Sequence, residues 1–241
     1  VRKARLSTLR LRGHVPAAAT SFSWDYGETY GAVVLRIIAG TEPPITEWLP
    51  SGKTSTPYAI GEPYRAPTTM SIVTTYVPLG FTHIVPLGAD HIAFVLGIFL
   101  LSARMAALLW QVTAFTIAHS ITLGLALFGL VHLDPGIVEP LIALSIVYVG
   151  VENLLTRELK PWRVALVFAF GLLHGLGFAG VLGEIGLPPG EMVSALIAFN
   201  IGVEGGQLAV IILAMAAGGY WFRSAPWYRT RVVVPGSLAI S

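Results

Sequence analysis

Several acidic and imidazole side chains lie inside stretches of this sequence that are otherwise strongly apolar. A titratable group at bilayer depth costs roughly 2.5–3.5 kcal/mol on insertion scales, so it normally faces the interior of a helix bundle and a partner. We therefore expect these groups to meet one another between helices. They are His83, Asp90, His91, His119, His174 and Glu204.

The predicted helices carry these residues at similar depths. At a rise of about 1.5 Å per residue, Asp90 lies roughly 15 Å from the start of its apolar stretch, and His119 roughly 20 Å from the start of its own. His174 and Glu204 each lie roughly 18 Å along theirs. The midplane of a hydrocarbon core about 30 Å thick is close to these depths. The common level predicts that the side chains converge on one pocket.

Imidazole and carboxylate are standard ligands for divalent transition metals. We therefore predict a site for a divalent metal ion, which could be Ni, Co, Zn, Fe, Mn or Cu(II), whose ligands are Asp90, His91, His119, His174 and Glu204. His83 is either an access ligand or an interfacial residue. Polar residues at helical spacing are predicted to bond to the ring nitrogen that does not bind the metal and so to orient each imidazole. They are Thr116, Ser120, Asn200 and Gln207. The alternative is that all these groups simply bond one another and hold the helices together.

The composition is that of an integral membrane protein. Of 241 residues, 54% are hydrophobic and 12% are charged, whereas soluble domains have about 25% charged residues. The small net charge of +2 gives no reason to expect a nucleic-acid partner. The lipid bilayer, a metal ion and other membrane subunits are the candidate partners. The sequence contains no cysteine, which excludes disulfides and thiolate ligands.

The pattern predicts an all-α polytopic bundle of five full transmembrane helices plus a partial sixth. Asp134 is expected to cap one helix, with Pro135 in its first turn. Glycines four residues apart flank His174 and Glu204, which predicts close helix contact there. The five long stretches are 80–102, 106–130, 136–155, 162–182 and 192–218, and the short one is 232–241.

The part before the bundle divides in two. Residues 1–20 are predicted to be a disordered or signal-like terminus, and 21–79 a small β-rich segment that includes a strand at 72–77. Residues 80–241 form the transmembrane domain. The basic joints between helices are predicted to be cytoplasmic by the positive-inside rule. Segment 21–79 is then extracytoplasmic, and the protein is predicted to lie in the inner (plasma) membrane.

Five motifs, in order, resemble the HupE/UreJ family of bacterial membrane proteins, particularly its second branch. They are GFTHIVPLGADHIAFVL, VTAFTIAHSITL, IALSIVYVGVEN, FGLLHGLGFAGVL and FNIGVEGGQL, and they cover about residues 76–215. The resemblance implies a membrane protein of six or seven helices that handles nickel or cobalt for hydrogenase or urease maturation. It also implies that Asp90 and His91 match the first-helix motif of the family, and His174 a later His-Gly motif.

Three functions fit these residues. The first is a metal permease of the nickel or cobalt type, which is not an enzyme. The second is a metal-dependent intramembrane hydrolase, in which Glu204 would be the base and Ser120 would orient water or substrate. The third is a non-catalytic subunit or assembly factor of a membrane complex, in which the polar cluster is structural.

Overall fold

The structure is a computed structural model that describes residues 14–25, 27, 33–38, 40–41, 45–49, 52–61, 67–101, 104–156, 158, 160–185, 187–188, 191–222 and 225–241. The chain divides into two compact units, one made of 1–33 with 49–64 and the other of 34–48 with 65–241. Of the predicted N-terminal segment 1–20, residues 1–13 lie outside the described part.

Short strands occur in the segment predicted to be β-rich. They are β1 (Ser21–Phe22), β2 (Val33–Ile37), β3 (Ile45–Leu49) and β4 (Tyr58–Ala59). β1 pairs antiparallel with β4, and β2 pairs with β3, so each sheet has two strands. Next to the β1–β4 pair, the backbone N–H of Trp24 donates to Ser55 Oγ over 2.7 Å.

Helices make up most of the remaining described chain. They are α1 (Thr69–Ile84), α2 (Ala89–Leu101), α3 (Met105–Leu127), α4 (Pro135–Leu155), α5 (Arg163–Ile185), α6 (Met192–Ala214), α7 (Tyr220–Phe222) and α8 (Val234–Ile240). A π-helical turn at Arg229–Val233 leads into α8. The stretch 232–241, predicted as a partial helix, is therefore helical.

The predicted strand at 72–77 is wrong, because these residues lie in α1. Thr68 accepts a hydrogen bond from the backbone N–H of Ser71 and so caps a helix that begins eleven residues before the predicted start at 80. The β-branched residues that suggested a strand are tolerated because α1 packs along α6. The cap predicted for α4 is confirmed, since Asp134 Oδ1 accepts from the N–H of Gly136 over 2.6 Å.

Four helices, α3 to α6, are long and apolar enough to cross a membrane. A fifth span results if α1 and α2 are counted as one, although they are bent by 68° at the break between them. The stretch 80–102, predicted as a single span, is thus interrupted. Pro86 accounts for the break, because proline has no N–H to donate and clashes with the preceding turn.

Glycines bring two helix pairs into close contact, α1 with α6 and α3 with α5. A Cβ atom on Gly80 would meet the carbonyl oxygen of Phe199, and one on Gly202 would meet that of Val77. On the other pair, a Cβ atom on Gly175 would meet the carbonyl oxygen of His119. The close contact predicted from the glycine spacing is confirmed at both pairs.

A buried ion pair joins the C-terminal end of α4 to the start of α5. Arg163 is 1% exposed, and its Nη1 lies 3.2 Å from Glu152 Oε2. The adjacent Asn153 donates to the carbonyl oxygen of Gly97 over 2.8 Å, which links α4 to α2. Arg229 donates to three carbonyl oxygens at the end of α4, those of Asn153, Leu154 and Thr156.

Candidate metal centre

The break between α1 and α2 brings two histidines together. His83 lies in the last turn of α1, and His91 in the first turn of α2. On one straight helix, eight residues would separate them by about 12 Å along the axis. Because the chain bends, their ring centroids are only 4.7 Å apart. The peptide bond between Val85 and Pro86, inside the break, is cis.

The close contact between α3 and α5 supplies two further imidazoles. Gly175 lets the backbone of α5 lie against α3 at His119, and His174 is the residue just before this glycine. The ring of His91 lies 4.9 Å from that of His174 and 5.8 Å from that of His119. Four helices therefore contribute one histidine each to a single cluster.

Two groups in this cluster have the geometry to hold an ion. One is His83, His91 and His119, and the other is Asp90, His91 and His174. Within each group the potential ligand atoms lie within 4.8 Å of one another, and His91 belongs to both. His91, His119 and His174 are at most 2% exposed, whereas the side chain of Asp90 is 42% exposed. The most exposed side chain of the cluster is thus Asp90, and His83 is partly buried.

The partner of one ring nitrogen sets the tautomer of His119. Asn200 donates through Nδ2 to the carbonyl oxygen of Leu196, so its Oδ1 is the atom that faces the imidazole. His119 Nδ1 lies 3.2 Å from this oxygen and therefore carries the proton. The lone pair of His119 is left on Nε2, which is the arrangement that a metal ligand needs.

The same reasoning applies to the other two buried histidines. Nδ1 of His91 donates to Asp90 Oδ1 over 3.1 Å. Ser145 donates its hydroxyl proton to the carbonyl oxygen of Ile142, so its oxygen accepts from Nε2 of His174, 3.3 Å away. The lone pairs that remain are on Nε2 of His91 and Nδ1 of His174.

Four buried imidazole nitrogens have no hydrogen-bond partner among the described residues. They are Nε2 of His83, His91 and His119, and Nδ1 of His174. Buried polar atoms are normally paired, so each such atom requires an explanation. Three of these four are the lone-pair atoms that the tautomer argument identifies. The donor set therefore fits a divalent transition metal that accepts several nitrogen ligands.

Aromatic rings surround the cluster. The Phe178 ring centroid lies 3.8 Å from that of His83, and Phe115 lies 5.0 Å from His174 and 5.7 Å from His91. Phe94 lies 5.3 Å from His174. These apolar walls limit the access of water, which strengthens the interaction of an ion with its ligands.

The structure does not bring Glu204 into either described ligand group. It accepts a hydrogen bond from Thr113 over 2.7 Å instead. Of the residues predicted to orient imidazoles, Asn200 contacts His119. Thr116 donates to Gln207 over 3.0 Å, and Ser120 donates to the Thr116 carbonyl oxygen over 2.7 Å. These last two contacts are not with a histidine.

Sequence reasoning missed Ser145, which orients His174. It is a lone polar residue in the apolar helix α4, and nothing in its spacing relates it to a histidine on α5. The one available signal was its small polar side chain on the buried face of a membrane helix, where Ser often bonds across helices.

Comparison with known families gives one match. The family model described as HupE / UreJ protein matches residues 62–241, about three quarters of the chain. This range contains all the helices and all the residues of the cluster. Searches of curated proteins and of solved structures gave no match.

Proposed function

Because the chain belongs to the HupE/UreJ family, we propose that it is a permease for a divalent transition metal ion, of the nickel or cobalt type. The family consists generally of membrane proteins related to nickel and cobalt transport. The ion is the cargo. It binds to either of two overlapping groups, one of His83, His91 and His119 and one of Asp90, His91 and His174.

The observation that supports this proposal best is the set of four buried imidazole nitrogens without partners. A purely structural cluster would be expected to satisfy these atoms with hydrogen bonds, because an unsatisfied buried polar group costs about 1–3 kcal/mol. An ion that accepts their lone pairs removes this cost. Broken helices that expose backbone and side chains at mid-membrane are also a recurrent feature of ion sites in transporters.

The two overlapping groups suit transport better than permanent binding. His91 is shared, so one ion can move from Asp90, His91 and His174 to His83, His91 and His119 without losing all its ligands. The carboxylate of Asp90 is exposed, so the group of Asp90, His91 and His174 is the accessible one. Conduction requires sites that bind well enough to admit an ion and weakly enough to release it.

Metal-dependent thermal unfolding tests the proposal. Ni²⁺ or Co²⁺ at 100 times its Kd should stabilise the purified protein by about 2.7 kcal/mol. His91→Ala should abolish this shift, since His91 belongs to both groups. His132→Ala is the matched control, because His132 is exposed and outside the cluster. No stabilisation of the wild type by Ni²⁺, Co²⁺, Zn²⁺ or Mn²⁺ would refute metal binding.

Uptake into proteoliposomes then separates transport from storage or assembly roles. The wild type should carry Ni²⁺ or Co²⁺ across the bilayer, and His119→Ala and His174→Ala should not. Binding without uptake would favour a metal-dependent hydrolase or an assembly factor over a permease.

We also propose that Asp90 faces the same side of the membrane as segment 21–79, outside the cytoplasm. The chain has no cysteine, so single cysteines report topology without background labelling. A cysteine at Glu139 should react with an impermeant maleimide in whole cells, and one at Arg104 only after lysis. The reverse pattern would invert the proposed orientation.

A further inference from the structure

Polar side chains continue from the histidine cluster along the contact between α3 and α6. Three side-chain pairs bridge the two helices, and we refer to them as the polar seam. They are His119 with Asn200, Thr116 with Gln207, and Thr113 with Glu204, at 3.2, 3.0 and 2.7 Å. The residues on α3 are three apart, about 4.5 Å along that helix, whereas on α6 Glu204 lies between Asn200 and Gln207.

The polar seam has a direction. His119 belongs to the cluster, and Thr113 lies six residues closer to Arg104, the residue that precedes the first turn of α3. On α6, Glu204 lies four residues, or about 6 Å, beyond Asn200, and its contact with Thr113 places it beyond His119 toward the Arg104 end. This is the end that the positive-inside rule predicts to be cytoplasmic.

Glu204 keeps binding capacity that the protein does not use. Thr113 donates to one oxygen, Oε1, whereas an ionised carboxylate has about four acceptor sites. The side chain is only partly buried, although it lies in the middle of a long apolar helix. A carboxylate at that depth is costly against lipid and normally faces a water-filled cavity or an ion path.

The next pair of the seam is also incompletely satisfied. Gln207 is fully buried, and its Nε2 has no hydrogen-bond partner among the described residues. Its Oε1 accepts from the hydroxyl of Thr116. The polar seam therefore contains a buried amide with a free N–H donor three residues from Glu204 on the same helix.

We propose that Glu204 is a second cation-binding position, separate from the histidine cluster, to which the metal ion passes along the polar seam. This inference rests on the proposed permease function. The ion exchanges imidazole nitrogens for the carboxylate of Glu204, hydroxyl oxygens of Thr113 and Thr116, and water. Oxygen ligands hold nickel and cobalt less strongly than several imidazoles do. Glu204 is thus suited to release, and the histidines to capture.

Glu204→Gln separates this role from a structural one. The amide keeps the size of the side chain and an oxygen that can accept from Thr113, but it removes the charge. If the seam only holds α3 against α6, the variant should transport as the wild type does. If Glu204 receives the ion, uptake of Ni²⁺ or Co²⁺ into proteoliposomes should fall by about 10- to 100-fold.

The decisive comparison is between uptake and binding in the same variant. Titration with Ni²⁺ should give the wild-type Kd for Glu204→Gln, because the histidine cluster is intact. Glu139→Gln is the matched control, since Glu139 is an exposed acid on α4, and it should change neither quantity. Wild-type uptake in Glu204→Gln would overturn the inference, and so would a loss of Ni²⁺ binding as large as that of His91→Ala.

Two further variants test the inference if Glu204→Gln does not fold. Glu204→Asp retains the charge and should retain most of the uptake, whereas Thr113→Val should reduce uptake with unchanged binding. Wild-type uptake in Thr113→Val would count against a path along the seam. If the wild type itself neither binds nor transports metal, the proposed function fails, which is distinct from a failure confined to Glu204.

Discussion

Replacing Asn200 with leucine should weaken metal binding without removing any proposed ligand. Asn200 Oδ1 accepts from Nδ1 of His119, and this bond holds the imidazole in the tautomer that presents Nε2 to the cluster. Leucine has nearly the same size and no acceptor. In Asn200→Leu, nothing holds the proton of His119 on Nδ1, and the tautomer with the proton on Nε2 offers no lone pair there to an ion.

The expected loss of metal affinity follows from the role of the hydrogen bond between Asn200 and His119. Loss of a hydrogen bond behind a metal-ligating histidine typically reduces metal affinity by 10- to 100-fold, which corresponds to about 1.4–2.7 kcal/mol at ~25 °C. Stability should fall as well, because His119 is completely buried and Nδ1 loses its acceptor. An unsatisfied buried group of this kind costs about 1–3 kcal/mol.

Calorimetric titration of the detergent-solubilised protein with Ni²⁺ or Co²⁺ measures the affinity, and thermal unfolding of the metal-free protein measures the stability. Asn200→Asp, which keeps an acceptor for Nδ1, should recover much of the affinity. Ser194→Ala is a control on the same helix, since Ser194 is exposed and bonds only to Glu191 among the contacts described. A folded Asn200→Leu protein with unchanged Kd would refute the tautomer argument.

Two further predictions concern stability. Arg163→Met should destabilise the protein by about 3–5 kcal/mol, because it leaves the buried Glu152 without its counter-charge, and Arg163→Met with Glu152→Gln should recover most of the loss in thermal unfolding. Gly175→Ala should destabilise it by about 1–3 kcal/mol and also weaken Ni²⁺ binding, because a Cβ there meets the His119 backbone. Gly180→Ala on the same helix has free space around it and should be neutral or slightly stabilising, so equal effects of the two substitutions would contradict the role of the close contact.

The membrane helices could be predicted from the sequence because their signal is local. The four long apolar stretches of α3 to α6, the Asp134 cap and the glycine spacings are all read from residues near one another, and each was found where it was expected. The stretch 80–102 was not, because it is interrupted between α1 and α2. Strand 72–77 failed because its β-branched composition is also compatible with a helix packed against α6. The preference of individual residues for strand or helix has little effect where tertiary contacts favour the other secondary structure.

The cluster could be predicted only in part, because its assembly depends on directions between helices. The structure gathers Asp90, His91, His119 and His174, as predicted, together with His83. The depth assigned to Asp90 assumed an unbroken helix from residue 80, whereas Asp90 lies in the first turn of α2, after the break. Depth alone does not specify which residue of α3 each side chain of α6 contacts. Asn200 and Glu204 are one turn apart on the side of α6 that faces α3, yet one contacts His119 and the other contacts Thr113. Which pairs form depends on how far α6 is shifted along α3, and the sequence of α6 alone does not give this shift.

The break between α1 and α2 explains why the unsatisfied nitrogens occur together. An unbroken helix would satisfy its own backbone but would hold His83 and His91 about two turns apart, too far for one ion. The bend interrupts the regular helix and brings the ring centroids of His83 and His91 to 4.7 Å from each other. Non-helical backbone at membrane depth is tolerated only where protein or a water-filled cavity surrounds it. Two unfavourable features therefore occur at one place. The helix is interrupted at the bend, and four buried imidazole nitrogens lack a hydrogen-bond partner among the described residues. Such coincident violations are expected at functional sites, where binding compensates for the lost stability.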